Sequence, residues 1–316
     1  MQYCTLGRTG LKVSVAALGA GGTSRLGAAK GLPRAHSVAL IHEALDLGVN
    51  LVDTAPTYGT EEIVGEALVG RRQNVIVSTK ARANRPGTEL DSTDYVTAEE
   101  FRQSVESSLR ALRTDCLDLL HLHGVRPHQY DYSMKVLLPQ MQKLRSEGKL
   151  RFFSITEGFG VDAEHETLRR AVADGDWDVV MGGFNMLNPS AVLHLLPDCT
   201  ASNVGYLCMY AVRGALTDTT RLEAAMRRMG ERGDLKDDPG AGKLVDALVR
   251  SGLPLAEIAY RFCRHTAGVC SVLFGTGDFG HLRKNIEWMN KPALPSDLVA
   301  LVLEVFGGVR RETGDL

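Results

Sequence analysis

The sequence predicts an α/β fold, an eight-stranded parallel (β/α)8 TIM barrel with an N-terminal β-hairpin cap and an extra C-terminal helix. Three observations carry this. Runs rich in Val, Ile and Leu recur eight times, each followed by a stretch of helical period, the alternation expected of parallel βαβ units. The chain has 316 residues, within the range of one such barrel, and reads as a single domain over 1–316 with no internal repeat or low-complexity tract. No G-x-G-x-x-G follows the first run, so the fingerprint of the rival doubly wound sheet is missing.

Met1 to Lys12 holds Gly7 and Gly10 between short apolar stretches and predicts the hairpin. The barrel strands follow at Val13–Leu18, Asn50–Thr54, Asn74–Thr79, Cys116–Leu122, Leu150–Ile155, Trp177–Met181, Val204–Tyr210 and Val269–Phe274. Between them, Ala35–Leu47 closes on Gly48, a helix stops at Gly148, and Thr97 with Glu100 forms a capping box ahead of Phe101–Arg113. Further helices are expected at Glu61–Val69, Ala163–Ala173, Ser190–Leu196, Ala241–Val249, Leu255–His265 and Phe279–Met289. The extra helix falls at Ser296–Val305.

With 36 basic against 38 acidic residues the formal charge is -2, and no basic stripe marks nucleic acid as a partner. No apolar window reaches membrane-spanning length and no secretory leader opens the chain, so a cytoplasmic protein without a membrane partner is expected. The six cysteines are scattered, without C-x-x-C or a tight His/Cys cluster. They read as reduced buried thiols rather than metal ligands.

In such a barrel, chemistry sits at the C-terminal ends of the strands. Asp53 ends the second predicted strand, Lys80 the third and His123 the fourth, while Tyr58 lies in the loop after Asp53. An Asp and a Lys held in a partly dry mouth need each other as counter-charges. A lysine ammonium beside Tyr58 favours phenolate and is expected to draw its pKa down from about 10, making a proton donor. His123 is placed to orient a carbonyl oxygen, and His121, on the same side of its strand, reads as support. A proton donor of this kind suits carbonyl reduction, with the hydride supplied by a cofactor.

The same residues carry a family resemblance. Leu51-Val-Asp-Thr-Ala-Pro-Thr-Tyr-Gly59, Ser78-Thr-Lys80 and Asp118-Leu-Leu-His-Leu-His123 resemble motifs of the aldo-keto reductases. The similarity continues through Gly148–Thr156, Phe184–Asn188 and Leu273-Phe-Gly-Thr-Gly277 to Asn285, covering nearly the whole chain. It implies a tetrad of Tyr58 as proton donor, Lys80 and Asp53 as its tuning pair, and His123 as carbonyl orienter. It also implies NADP(H), with NAD(H) as the alternative, lying across the mouth. Gly22 and Thr23 match positions near the nicotinamide; Gly277, Thr276 and Asn285 match the stretch near the 2'-phosphate and adenine. Ala211 and Arg213 match the variable pyrophosphate loop.

The chain departs from the family pattern at five positions around the expected cofactor. Where the family usually places Ser-Asn and Gln around the carboxamide, this sequence resembles it with Thr156, Glu157 and Met181. Glu157 lacks an amide donor, Met181 offers only a weak sulfur acceptor, and Glu157 is free to accept instead from His281 or a substrate hydroxyl. Gly275 and His281 stand where Lys or Arg is common, which reduces the charge available to a 2'-phosphate.

Three long loops remain: Arg82–Val96, Gly124–Tyr132 and Gly214–Pro239. The first two carry Arg82, Arg85, Arg126 and His128 with Tyr95, Tyr130 and Tyr132, a rim suited to a sugar-like or carboxylate-bearing carbonyl compound or simply to solvent. The third is expected to hold a short helix, as a lid or a plain surface element. The leading expectation is a pyridine-nucleotide-dependent oxidoreductase acting on a small aldehyde, ketone or alcohol. The alternatives are a catalytically weak cofactor-binding regulatory protein and a Schiff-base lyase or aldolase using Lys80.

Overall fold

The computed structural model describes residues 1–235 and 239–315. Two short antiparallel strands, β1 (Tyr3–Thr5) and β2 (Lys12–Ser14), form the expected hairpin, with Thr5 opposite Lys12. The predicted first strand is therefore divided: Val13 belongs to the hairpin, and the barrel begins with β3 (Ala16–Gly19). It continues through β4 (Leu51–Asp53), β5 (Ile76–Ala81), β6 (Leu117–Val125), β7 (Leu150–Glu157), β8 (Val179–Gly183), β9 (Gly205–Met209) and β10 (Ser271–Phe274). These eight close in the order β10-β3-β4-β5-β6-β7-β8-β9, every pairing parallel.

Alternate residues of each strand face opposite ways, which creates two apolar clusters. Leu51, Ile76, Leu119, Val179, Met181 and Leu207 fill the lumen together with Leu6, Val13 and Cys270 from the hairpin end. Val52, Val77, Leu120, Leu122, Phe153, Ile155 and Val180 face outward to the helices. The hairpin turn presses directly beneath β9: a side chain at Gly7 would lie 2.3 Å from the Gly205 nitrogen, so only glycine fits.

The helices lie near the expected spans, except that the one expected from Ala163 begins at Glu166, after His165 in the left-handed conformation. Thr97 and Glu100 form the capping box of helix Ala98–Ala111, Thr97 Oγ1 accepting from the Glu100 amide at 3.2 Å. Helix Ser190–Leu196 is instead two short helices, Ser190–His194 and Leu196–Ala201, divided at Leu195 just before Pro197. The third long loop holds a full helix, Thr219–Glu231, capped by Asp218, while its residues 236–238 lie outside the described ones. The extra C-terminal helix spans Ser296–Phe306. Among the described residues no helix is long and apolar enough to cross a membrane.

Candidate active site

Barrel register places the polar residues side by side. Asp53 pairs with Ser78 and Lys80 with His121, so four polar side chains of three adjacent strands share the lumen side near the mouth. Lys80 Nζ donates to both Asp53 oxygens at 2.5 Å and to the Thr54 carbonyl at 3.0 Å. Both side chains are almost wholly buried, at 2% and 4% exposure, so the ion pair cannot be replaced by water. The Ser78 hydroxyl donates to Asp53 Oδ1 at 2.7 Å and lies 3.0 Å from His121 Nε2. Since the serine hydrogen is committed to Asp53, His121 donates through Nε2, which matches a ring held neutral by burial and by the nearby Lys80 charge.

Tyr58 enters from a 3-10 turn at Pro56–Tyr58 that Gly59 ends in the left-handed conformation. Lys80 Nζ lies 5.2 Å from the centre of its ring, and the ring meets His123 edge-on at a centroid separation of 5.8 Å. Gly21 makes the approach possible, because a Cβ there would lie 2.6 Å from Tyr58 Cε2. Burial, the Asp53 charge and Tyr210 push the Tyr58 phenol above its ordinary value, with Arg82 pulling the other way. The expected downward shift by Lys80 is thus corrected: Lys80 is paired with Asp53, whose charge faces the phenol, and the half-buried ring holds its proton. Burial, then Lys80 and Arg82, hold His123 down to about 3. Its Nδ1 is buried without a hydrogen-bond partner.

The predicted cofactor positions divide by strand face. Gly22 and Thr23 are exposed in the turn after β3, Gly22 at φ +70°. Thr156 is buried on the lumen side of β7 and accepts the Gly124 amide at 2.7 Å, leaving its own hydrogen for donation. Met181 is packed among the lumen apolar residues. Glu157, one residue on from Thr156, points outward with Phe153 and Ile155. It accepts from the Gly183 amide at 2.8 Å and meets His165 Nδ1 at 2.9 Å, and His165 Nε2 reaches Ser190 Oγ at 3.0 Å. Its partner is therefore His165 rather than His281, and strand parity turns it away from the mouth. The sequence offered no signal for this link, since His165 sits in a loop in a left-handed conformation.

Arg213 is engaged by Asp315 and lies 4.2 Å over the Tyr210 ring, beside buried Ala211. After β10, Gly275 lies close to Gly19, and Gly277 packs on the Gly27 backbone where a Cβ would meet it at 2.6 Å. Thr276 Oγ1 accepts the Asp278 amide at 3.0 Å, and Asp278 caps helix Phe279–Asn290 through the His281 amide at 2.8 Å. The His281 amide first, then the His281 charge and the Gly280 amide, hold the Asp278 carboxyl below its ordinary value. His281 itself is exposed and Asn285 buried. The aromatic rim is narrower than expected: Tyr95 and Tyr132 stack at 4.1 Å, but Tyr130 is buried and bonds Asp174.

The sequence pattern of the Aldo/keto reductase family matches residues 17–305. The chain belongs to that family. It is 30% identical over 301 residues to L-galactose dehydrogenase of Arabidopsis thaliana, covering 90% of this chain and 87% of the plant enzyme. It is 29% identical over 309 residues to D-threo-aldose 1-dehydrogenase of a Pseudomonas species, covering 87% and 90% of the two chains. Its fold superposes on a solved aldo-keto reductase from Bacillus halodurans in its holo form with a TM-score of 0.72 and 23% identity, covering 99% of this chain and 100% of that one. This aldo-keto reductase is accordingly an oxidoreductase of carbonyl and alcohol groups.

Proposed function

We propose that the protein interconverts an aldehyde or ketone with its alcohol at the mouth of the barrel, with Tyr58 exchanging the proton. The observation that carries this reading is the contact of the Tyr58 ring with both Lys80 and His123 above the buried Lys80–Asp53 pair. A nicotinamide dinucleotide, when bound, would supply or accept the hydride. Tyr58 donates its phenolic proton to the carbonyl oxygen as charge develops there. Lys80, paired with Asp53 below the ring, offsets the carboxylate charge that would otherwise oppose the phenolate left behind. Neutral His123 is held to hydrogen-bond the same oxygen and orient it.

The fit to such a cofactor rests on three features. The Thr156 hydroxyl keeps a free hydrogen on the lumen side, the turn at Gly22 and Thr23 is open, and the amides of helix Phe279–Asn290 begin at the mouth. Glu157 and Met181 add no polar hold on the carboxamide. At the far end, ionised Asp278 and the lack of a side-chain cation at Gly275 disfavour a 2'-phosphate, so we assign NAD(H) at least equal standing with NADP(H). The Schiff-base reading of Lys80 is disfavoured, because the amine is buried and its bonds to two carboxylate oxygens and a carbonyl leave it no free approach to a substrate carbonyl.

The test is multiple turnover. Purified enzyme is offered NADH and NADPH with aldehydes, and sugars with the oxidised cofactors, while nicotinamide absorbance is followed. Turnover that disappears in Tyr58→Phe supports the assignment; equal turnover in that variant overturns it.

A further inference from the structure

Four basic side chains belong to the loops that follow β5 and β6, and they fall into two kinds. Arg85 is held by Asp94 at 3.3 Å and Glu100 at 3.2 Å, and His128 bonds the Asp91 carbonyl at 2.9 Å. These two brace the loop. Arg82 and Arg126 have no ion pair and no side-chain hydrogen bond among the described residues, and the Nε of each is buried without a partner. Arg126 is only 9% exposed. An Nε–H withdrawn from water without an acceptor loses hydration and gains nothing in return, a cost that a folded chain rarely carries without use.

Strand parity aims both arginines into the mouth. On β5, Val77 and Ala81 pack outward, so Lys80 and then Arg82 face the lumen. On β6, Leu120 and Leu122 pack outward while His121 and His123 face inward. The register shift between Leu122 and Val125, at Gly124 with φ +62°, returns Val125 to the outer cluster and turns Arg126 inward. Arg126 then reaches over Gly158, beyond the end of β7, where a Cβ would come 1.3 Å from its Nη1. Glycine at 158 is thus the space in which the guanidinium rests. Arg82 is near enough to Tyr58 and His123 to influence the charge of both. In the barrel order, β5 and β6 lie across from β9 and β10, the side to which the family resemblance assigns the cofactor phosphates.

From this we infer that Arg82 and Arg126 form an oxyanion-binding rim that selects carbonyl substrates bearing a carboxylate or phosphate group. This rests on the oxidoreductase reading above and names its substrate class. A guanidinium presents a planar fork of donors that matches such an oxyanion, and one from each of two adjacent strands grips it from two directions. With the anion on the rim, the carbonyl carbon is held toward Tyr58 and His123, deeper in the mouth.

The experiment compares kcat/KM for two matched pairs: 4-carboxybenzaldehyde against benzaldehyde, and glyceraldehyde 3-phosphate against glyceraldehyde. The wild type should favour the anionic member of at least one pair by about tenfold or more, and the pair with the larger ratio identifies the oxyanion. Arg82→Gln and Arg126→Gln should each cut that ratio by about tenfold, and Arg82→Lys should retain part of it. A wild-type ratio near one for both pairs, or a ratio unchanged in the double Gln variant, overturns the inference. If neither pair is turned over with either cofactor, the oxidoreductase reading fails, and calorimetric titration with benzoate and benzyl alcohol decides the rim separately. Benzoate binding that is lost in the double variant sustains it, and binding equal to that of benzyl alcohol overturns it.

Discussion

Lys80 and Asp53 meet at 2.5 Å through both carboxylate oxygens in a place that water does not reach. Each charge there depends on the other. Asp53→Asn should cost about 3–5 kcal/mol of stability, read by denaturant unfolding, because it strands a buried ammonium. Replacing both residues with apolar ones of similar size should restore most of the stability and none of the turnover. Full activity in the doubly apolar variant would show that the pair is scaffolding alone.

Tyr58 holds its proton above the ordinary range because it is half-buried in the mouth and faces Asp53. Carbonyl reduction, which needs the phenol, should keep a flat rate through neutral pH and decline only in strongly alkaline buffer. Alcohol oxidation, which needs the phenolate, should climb with pH over the same span. Tyr58→Phe should lower kcat by roughly 10²–10⁴-fold without a change in unfolding free energy larger than about 1 kcal/mol. A reduction rate with a neutral-pH inflection that survives in that variant would remove Tyr58 from the proton step.

His123 is held neutral, its pKa depressed from 6.5 to about 3. The unfolded chain binds a proton there that the folded chain refuses, so stability is at its fullest above pH 6.5. It falls as pH drops toward 3, by up to about 1.4 kcal/mol per pH unit for each such group. His123→Gln should flatten part of that acid slope, the remainder coming from His121, which is depressed in the same direction. Unfolding curves across this window, with and without the substitution, measure the difference.

Glu157 belongs to a buried chain running from the Gly183 amide through His165 to Ser190. Glu157→Ala leaves the Gly183 amide and His165 Nδ1 unpartnered and should cost about 2–4 kcal/mol. Because the side chain faces away from the mouth, cofactor affinity in the surviving folded fraction should change by less than about threefold. The paired substitution Glu157→Asn with Met181→Gln should likewise bring no gain in turnover, and a clear gain would reverse the orientation argued for Glu157.

At the other side of the mouth, His281→Arg adds a persistent cation beside the Asp278 cap. It should raise NADPH affinity by about tenfold relative to NADH in a fluorescence titration, with Asp278→Asn acting in the same sense. No change in the ratio with either variant would place the cofactor's distinguishing contact elsewhere.

Strand-borne features were the legible ones. Alternating Val-, Ile- and Leu-rich runs exposed the barrel, and residues fixed to strand ends, Asp53, Lys80 and His123, came together because register leaves little choice. Their mutual charge balance was misread for Tyr58, since the sum of burial, Asp53 and Arg82 depends on distances that spacing does not encode. Glu157 was assigned to the mouth by its place in a motif, yet its parity with Phe153 and Ile155 already pointed outward. The engagement of Arg213 by Asp315 joins positions about a hundred residues apart through a chain end of irregular backbone, for which no periodic signal exists. The sorting of Arg82 and Arg126 from Arg85 turned on which acids the loop folded toward them.

The hairpin and the apolar residues above it, Leu6, Val13, Leu51, Ile76 and Leu119, stopper the barrel from below. A vessel sealed at its base has one doorway, so arrivals and departures share it. Spent product must retreat past the arginine rim along the route by which fresh substrate enters, and the two contend for the same passage. Protons exchanged by Tyr58 likewise reach bulk water only upward, and any molecule parked at the entrance silences the chemistry beneath without touching it.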